Sequence, residues 1–148
     1  MIVTFEQLKT LRGQVAMVDG AFDPLHHGHI EYFRAAREQL GVELLCNLAP
    51  DEYVLRKHQP LLPQDQRAVV IDAIRYIDYT HKSHQDTETV LRELRPKYYV
   101  KGSDWRGKLP PEQEIICREH GIEIVYLDTV RDSSTAILKS YFESQFQR

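Results

Sequence analysis

Short apolar runs alternate with segments of helical period along nearly the whole chain, and no other feature constrains its fold as much. Runs at residues 14–19, 42–48, 79–81, 98–101 and 122–127 read as five strands. Between the first two, Ile30, Phe33, Ala36 and Leu40 stand at helical spacing within residues 28–40, which close on Gly41. Further helices are predicted over 64–76, over 87–94 (stopped by Pro96), over 112–119 (closed by Gly121) and from 134 to the end. A lead-in helix over 4–11 has Thr4 as N-cap and Gln7 three residues on. Strands alternating with helices build a parallel sheet covered on both faces, and strands buried on both faces read as continuous apolar runs. The expected fold is α/β: a Rossmann-like parallel five-stranded sheet with helices on both faces, in a single domain over 1–148.

Composition narrows the class. Hydrophobic residues make up 42% and charged residues 28% of the 148, enough for a core and too apolar for disorder. Lys and Arg number 19 against 22 Asp and Glu, a net charge of −3, which argues against a nucleic-acid partner. No run of 18 apolar residues offers a membrane span, and the first residues lack the pattern of a signal peptide. Cys46 and Cys117 show no C-x-x-C spacing, so they are expected to be reduced and buried, in a cytoplasmic protein.

Ligands of parallel sheets sit beyond the carboxyl ends of the strands. That rule points to the residues after Asp19, after Val100 and after Leu127. After the first strand comes Gly20-Ala-Phe-Asp-Pro-Leu-His26-His-Gly-His29, running straight into a helix. Gly20 suits a tight turn, Pro24 stiffens the loop, and Gly28 permits close approach over the helix start. A helix N-terminus attracts phosphate, and imidazoles three residues apart can both face one anion. P-loop and dinucleotide-binding glycine patterns are absent, as are H-E-x-x-H and zinc-finger spacings.

Phe22, Asp23 and His26-His27-Gly28-His29 resemble the G-x-F-D-x-x-H-x-G-H signature of the H-x-G-H nucleotidyltransferase superfamily. Lys101-Gly-Ser-Asp104-Trp105 is similar to the K-G-x-D-[WY] segment of glycerol-3-phosphate cytidylyltransferases and of the ADP-heptose synthase domain. Arg67 and Ile74-Arg75-Tyr76-Ile77-Asp78 resemble the R-x(7)-I-R-Y-V-D segment of the former, and Ser133-Ser134-Thr135 the I-S-[ST]-T motif. The stretch before Ser133 departs from the family's R-T-x-G, being one residue shorter with its arginine displaced to Arg131.

The resemblance implies transfer of CMP, mildly favoured, or AMP from CTP or ATP to a small phosphomonoester such as a polyol or sugar phosphate. Pyrophosphate is released and Mg²⁺ bridges the phosphates. It implies catalytic roles for His26, His29 and Lys57, the last from the loop sequence Arg56-Lys57-His58. Ala21, Phe22, Gly28, Lys101, Asp104, Arg131, Ser133, Ser134 and Thr135 are implied on the nucleotide, and Asp23, Arg67 and Arg75 on the acceptor. No protein metal site is implied. Loops 49–63 and 103–112 are expected to shape the acceptor pocket, and the relatives suggest a homodimer. Two other classes stand beside this one: a catalytically silent nucleotide-binding accessory protein, and a metal protein using histidines such as His81 and His84.

Overall fold

The computed structural model describes residues 1–128 and 134–146. Its strands are β1 (Ile2–Val3), β2 (Val15–Gly20), β3 (Glu43–Leu48), β4 (Tyr79–Lys82), β5 (Tyr98–Gly102) and β6 (Glu123–Leu127). They form one six-stranded sheet in the order β1-β4-β3-β2-β5-β6, every pairing parallel. The expected α/β sheet is present with one strand more than the sequence suggested. Ile2 and Val3 pair with Thr80 and His81 at the edge. A two-residue strand carries no periodicity, so only its partner reveals it.

The helices are α1 (His27–Leu40), α2 (Asp51–Val54), α3 (Gln64–Asp72), α4 (Thr87–Leu94), α5 (Pro111–Glu119) and α6 (Ser134–Phe146). The lead-in segment is a 3-10 helix over Phe5–Leu11, opened by the expected Thr4–Gln7 capping box. Gly41 ends α1 in the left-handed conformation, φ 66°. Helix α3 stops at Asp72, four residues before the predicted end, and α2 lies in a segment that read as loop.

Period-2 geometry sorts the sheet residues into two cores. Val15 and Met17 of β2, Leu45 of β3 and Tyr99 of β5 face one layer, with Leu8, Leu91 and Ile116. Ala16, Val18, Leu44, Cys46 and Val100 face the other, with Phe33 of α1 and Ile71 of α3. Cys46 and Cys117 are free and buried in opposite layers, and burial pushes both thiols up, Cys117 to about 11. Among the described residues no helix is long and apolar enough to cross a membrane.

Buried polar groups tie the loops at the carboxyl edge. Arg67, 1% exposed, donates from Nη1 to the carbonyls of Ala21 and Ala49 (3.0 and 2.9 Å) and from Nε to Leu62 (3.0 Å). Its Nη2 pairs with Asp51 Oδ1 at 2.7 Å. One guanidinium thus joins the loops that leave β2 and β3. Gln64 does the same for β3 and β4 through the carbonyls of Leu48 and Ser83. His81 of β4 is buried with Nδ1 2.8 Å from Asn47 Oδ1. Burial first, then the nearby His84, lowers its pKa to about 4, against an opposing pull from Glu6.

Replacing Arg67 by Met strands these carbonyls, so the unfolding free energy should fall by about 3 kcal/mol. A urea titration showing a loss below roughly 1 kcal/mol would mean that other donors replace it. Between pH 6.5 and about 4 the unfolded chain protonates His81 while the native chain does not, so this group withdraws stability as pH falls through that window. His81→Gln should therefore lose less stability on acidification than the parent, by up to ~1.4 kcal/mol per pH unit. Parallel pH profiles of the two chains would contradict this.

Candidate active site

The turn off β2 and the first turn of α1 make a compact histidine pair. His26 is the N-cap of α1 in an extended conformation. Its Nδ1 accepts the backbone N–H of Gly28 (3.1 Å), and Nδ1 of His29 accepts the backbone N–H of His26 (3.3 Å). This is a capping box built from imidazoles, where hydroxyls and carboxamides usually serve. The rings stack with centroids 3.8 Å apart and planes at 29°. In both neutral rings an Nδ1 that accepts leaves the proton on Nε2. Burial, and then the neighbouring His26, lower the pKa of His29 to about 3, so it is neutral at pH 7.

Phe22 holds this pair in place. Its backbone is left-handed (φ 52°), an uncommon state for a bulky residue. In that state its ring lies edge-on to both His29 and Phe33, at 5.0 Å each. A Cβ on Gly20 would come within 3.0 Å of the Phe22 ring, so the absence of a side chain there makes room for the wedge.

Next to Gly20 opens a cleft of about 660 Å³ across the carboxyl ends of β2 to β5 and the starts of α2, α4 and α5. Asp19 and Lys101 meet on its floor at 3.0 Å, both largely buried. The Lys101 ammonium also lies 4.2 Å from the centroid of Trp105. Tyr99 OH reaches Asp19 Oδ2 (3.1 Å) and Gln113 Oε1 (3.0 Å), and Gln113 Nε2 donates to Glu88 Oε1 (3.1 Å).

The sequence-named residues divide. His26, Gly28 and His29 come together as described, but the Gly28 N–H is taken by His26 Nδ1. Ser134 Oγ donates to the carbonyl of Pro24 (2.7 Å), which brings the start of α6 to the histidine loop, and Thr135 beside it is exposed. Arg131 and Ser133 lie outside the described residues. Lys101 lines the cleft, and Asp104 is exposed, with Oδ1 only 2.6 Å from where a Cβ on Gly102 would stand. The carbonyl of Ala21 accepts from Arg67.

Four residues sit otherwise than the sequence suggested. Lys57 is exposed, 5.4 Å over the Tyr53 ring, while its neighbour Arg56 lines the cleft. Arg67 is enclosed and bonded to protein acceptors, which makes it a structural tie between loops. Arg75 is exposed four residues before β4, at the amino edge, and in an all-parallel sheet that edge lies opposite the site. Asp23 is buried and accepts the backbone N–H of Leu61 (2.8 Å), so it anchors the 55–63 loop to the histidine turn.

Sequence reasoning passed over Asp19, Asn47, Tyr99 and Gln113. In sequence they are isolated polar positions at or near the ends of apolar runs, and the only available signal was their place at strand carboxyl ends. Among the described residues no group of three or more His, Cys, Asp or Glu could hold a metal ion.

A family profile described as cytidylyltransferase-like matches residues 17–140. The chain is similar to the bifunctional protein HldE of Helicobacter hepaticus, 31% identical over 137 residues, which take in 89% of this chain and 27% of that protein. It therefore spans less than a third of the length of that relative. It is 34% identical over 110 residues to the FAD synthase of Aciduliprofundum boonei, across 73% of this chain and 72% of that one. Among solved structures, the lipopolysaccharide core biosynthesis protein from Thermoplasma volcanium GSS1 superposes with a TM-score of 0.67 at 25% identity, covering 80% of this chain and 98% of that chain. With its histidine pair beyond the end of β2 and this match over most of its length, the chain belongs to the cytidylyltransferase-like family of nucleotidyltransferases.

Proposed function

We propose that the chain transfers AMP from ATP to a small phosphomonoester and releases pyrophosphate. The observation that carries this reading is the reciprocal histidine cap, which commits both Nδ1 atoms to backbone donors and so keeps the proton of each neutral ring on Nε2. An oxygen of the acceptor phosphate attacks the α-phosphorus in line. The new P–O bond forms as the bond to the α–β bridging oxygen breaks, and the electron pair leaves with pyrophosphate. The attacking oxygen is already anionic at pH 7, so no base has to activate it. The remaining tasks are positioning and stabilisation of charge on the phosphoryl oxygens. His26 and His29 donate to those oxygens from Nε2, and His29, held neutral, donates without itself giving up a buried charge.

Ser134 and Thr135 open α6, and hydroxyls at a helix start suit the leaving pyrophosphate. Arg56, on the cleft wall, takes the cationic role first expected of Lys57. Mg²⁺ on the triphosphate supplies further charge neutralisation when bound. Asp19 is paired with Lys101 and Asp23 with a backbone N–H, so the phosphates themselves furnish most of its ligands.

ATP is preferred here to the CTP that the sequence mildly favoured. Making FAD joins AMP to FMN, and FAD synthases stand among the relatives.

His29→Ala should lower the rate of ATP-dependent pyrophosphate release by roughly 10²–10³-fold. Unchanged turnover would remove the ring from the chemistry. With Mg²⁺ present, ATP at a hundredfold excess over Kd should stabilise the chain by about 2.7 kcal/mol, seen as a rise in Tm that CTP at the same concentration does not match. The reverse order would return CTP to first place.

A further inference from the structure

Asn47, one residue before the end of β3, is 4% exposed, yet only half of its carboxamide is used by the protein. Its Oδ1 lies 2.8 Å from Nδ1 of His81, its partner in register on β4. A carbonyl oxygen only accepts, so His81 donates from Nδ1. Burial keeps this ring neutral at pH 7, with its pKa lowered to about 4, and its one proton is spent on Asn47. The amide Nδ2 bonds to no atom among the described residues, and Asn47 lines the cleft beside Gly20. On the other side Asn47 pairs in register with Asp19 of β2, which lines the same cleft. An amide oxygen turned toward that carboxylate would be repelled, and an N–H₂ is attracted. Both neighbours therefore favour the same rotamer, with the oxygen on His81 and the nitrogen outward.

Most other polar groups of the cleft are already committed. Lys101 and Asp19 neutralise one another, and the Tyr99 hydroxyl is shared between Asp19 and Gln113. Gln113 Nε2 donates to Glu88, Ser83 Oγ donates to the carbonyl of Gln85, and Asp86 caps α4 by accepting the N–H of Thr89 at 2.7 Å. Arg56 and His84, from the loops that follow β3 and β4, line the cleft with Asn47, and exposed Glu52 is the carboxylate on α2 that faces them. An amide donor in the company of a guanidinium and an imidazole suits an anionic oxygen. The place also adjoins the histidine turn: Leu48, next to Asn47, pairs with Gly20, and the N–H of Ala49 donates to the Gly20 carbonyl at 2.9 Å.

Resting on the phosphomonoester reading above, we propose that Asn47 is a substrate-binding residue whose Nδ2 donates to the acceptor's phosphate, and that His81 is the positioning residue that turns this nitrogen outward. His81 lies buried behind Asn47 and acts only through it.

Titrating the ¹⁵N-labelled full chain with inorganic phosphate, in the presence of Mg²⁺ and saturating α,β-methylene-ATP, tests this. The Asn47 side-chain N–H₂ resonance should shift saturably, and the His81 ring should carry its proton on Nδ1. Asn47→Asp keeps an acceptor for His81 but replaces the outward donor by an oxygen, so the Kd for phosphate should rise roughly 10–100-fold. His81→Asn, which keeps a donor near the place of Nδ1, should bind phosphate nearly as the parent does, whereas His81→Leu should weaken it several-fold. A purely structural role for the pair would move stability and leave these affinities alone. A proton on His81 Nε2, or an unchanged Kd in Asn47→Asp, overturns the inference. Displacement of phosphate by the nucleotide analogue also overturns it, because the anion site then belongs to the triphosphate. If phosphate does not bind while ATP still raises Tm, the inference falls and the nucleotide half of the proposed reaction stands. If neither binds, the proposed reaction itself is refuted.

Discussion

The geometry of the site depends on the reciprocal cap between His26 and His29. A helix start has backbone N–H groups that need acceptors, and here two imidazole nitrogens provide them. The same bonds that begin α1 also set the tautomer of both rings. Structure and reactivity therefore cannot be separated at this turn: a change that breaks the cap also releases the proton-bearing nitrogens. Stacking at 3.8 Å adds a second constraint, because two imidazolium rings at that distance repel. Phe22 completes the arrangement by bearing edge-on against His29 from a left-handed backbone, in the space that Gly20 leaves open.

Around that turn the molecule uses buried polar side chains as fasteners. Arg67 gathers the carbonyls of Ala21, Ala49 and Leu62, and Asp23 secures Leu61. A loop that leaves a strand end carries backbone groups with no ladder partner, and each needs one if it is to stay ordered. These side chains supply the partners and hold the wall of the cleft in register with the histidines. Charge within the cleft is handled in the same way, since Lys101 and Asp19 neutralise one another before any ligand arrives.

Much of the architecture was legible in the chain itself. The five longer strands, the N-cap at Thr4, the glycine end of α1 and the extent of α4 follow from local apolar period and capping chemistry. The histidine turn was legible too, because its spacing, its glycine and the strand before it all lie within fifteen residues. The surroundings of residues with distant partners were not legible. Arg67 and Arg75 stand eight residues apart in one motif-like stretch, yet α3 runs from the carboxyl edge toward the amino edge of the sheet. Arg67 is therefore buried under the site and Arg75 lies far from it. In the loop after the short helix α2, Arg56 lines the cleft, a placement that only the tertiary structure decides.

The amino-acid order by itself determined the α/β alternation, the place of the histidine turn and the identity of its two histidines, since these rest on interactions between residues three or four apart. The tertiary structure alone decided the edge strand at Ile2–Val3 and the burial of Arg67. It also decided the meeting of Asp19, Tyr99, Lys101 and Gln113 on one floor. Those four residues span almost a hundred positions, and nothing local in the chain encodes their contact. They meet because parallel strands all end at the same edge, and the order in which the strands pair chooses which ends become neighbours.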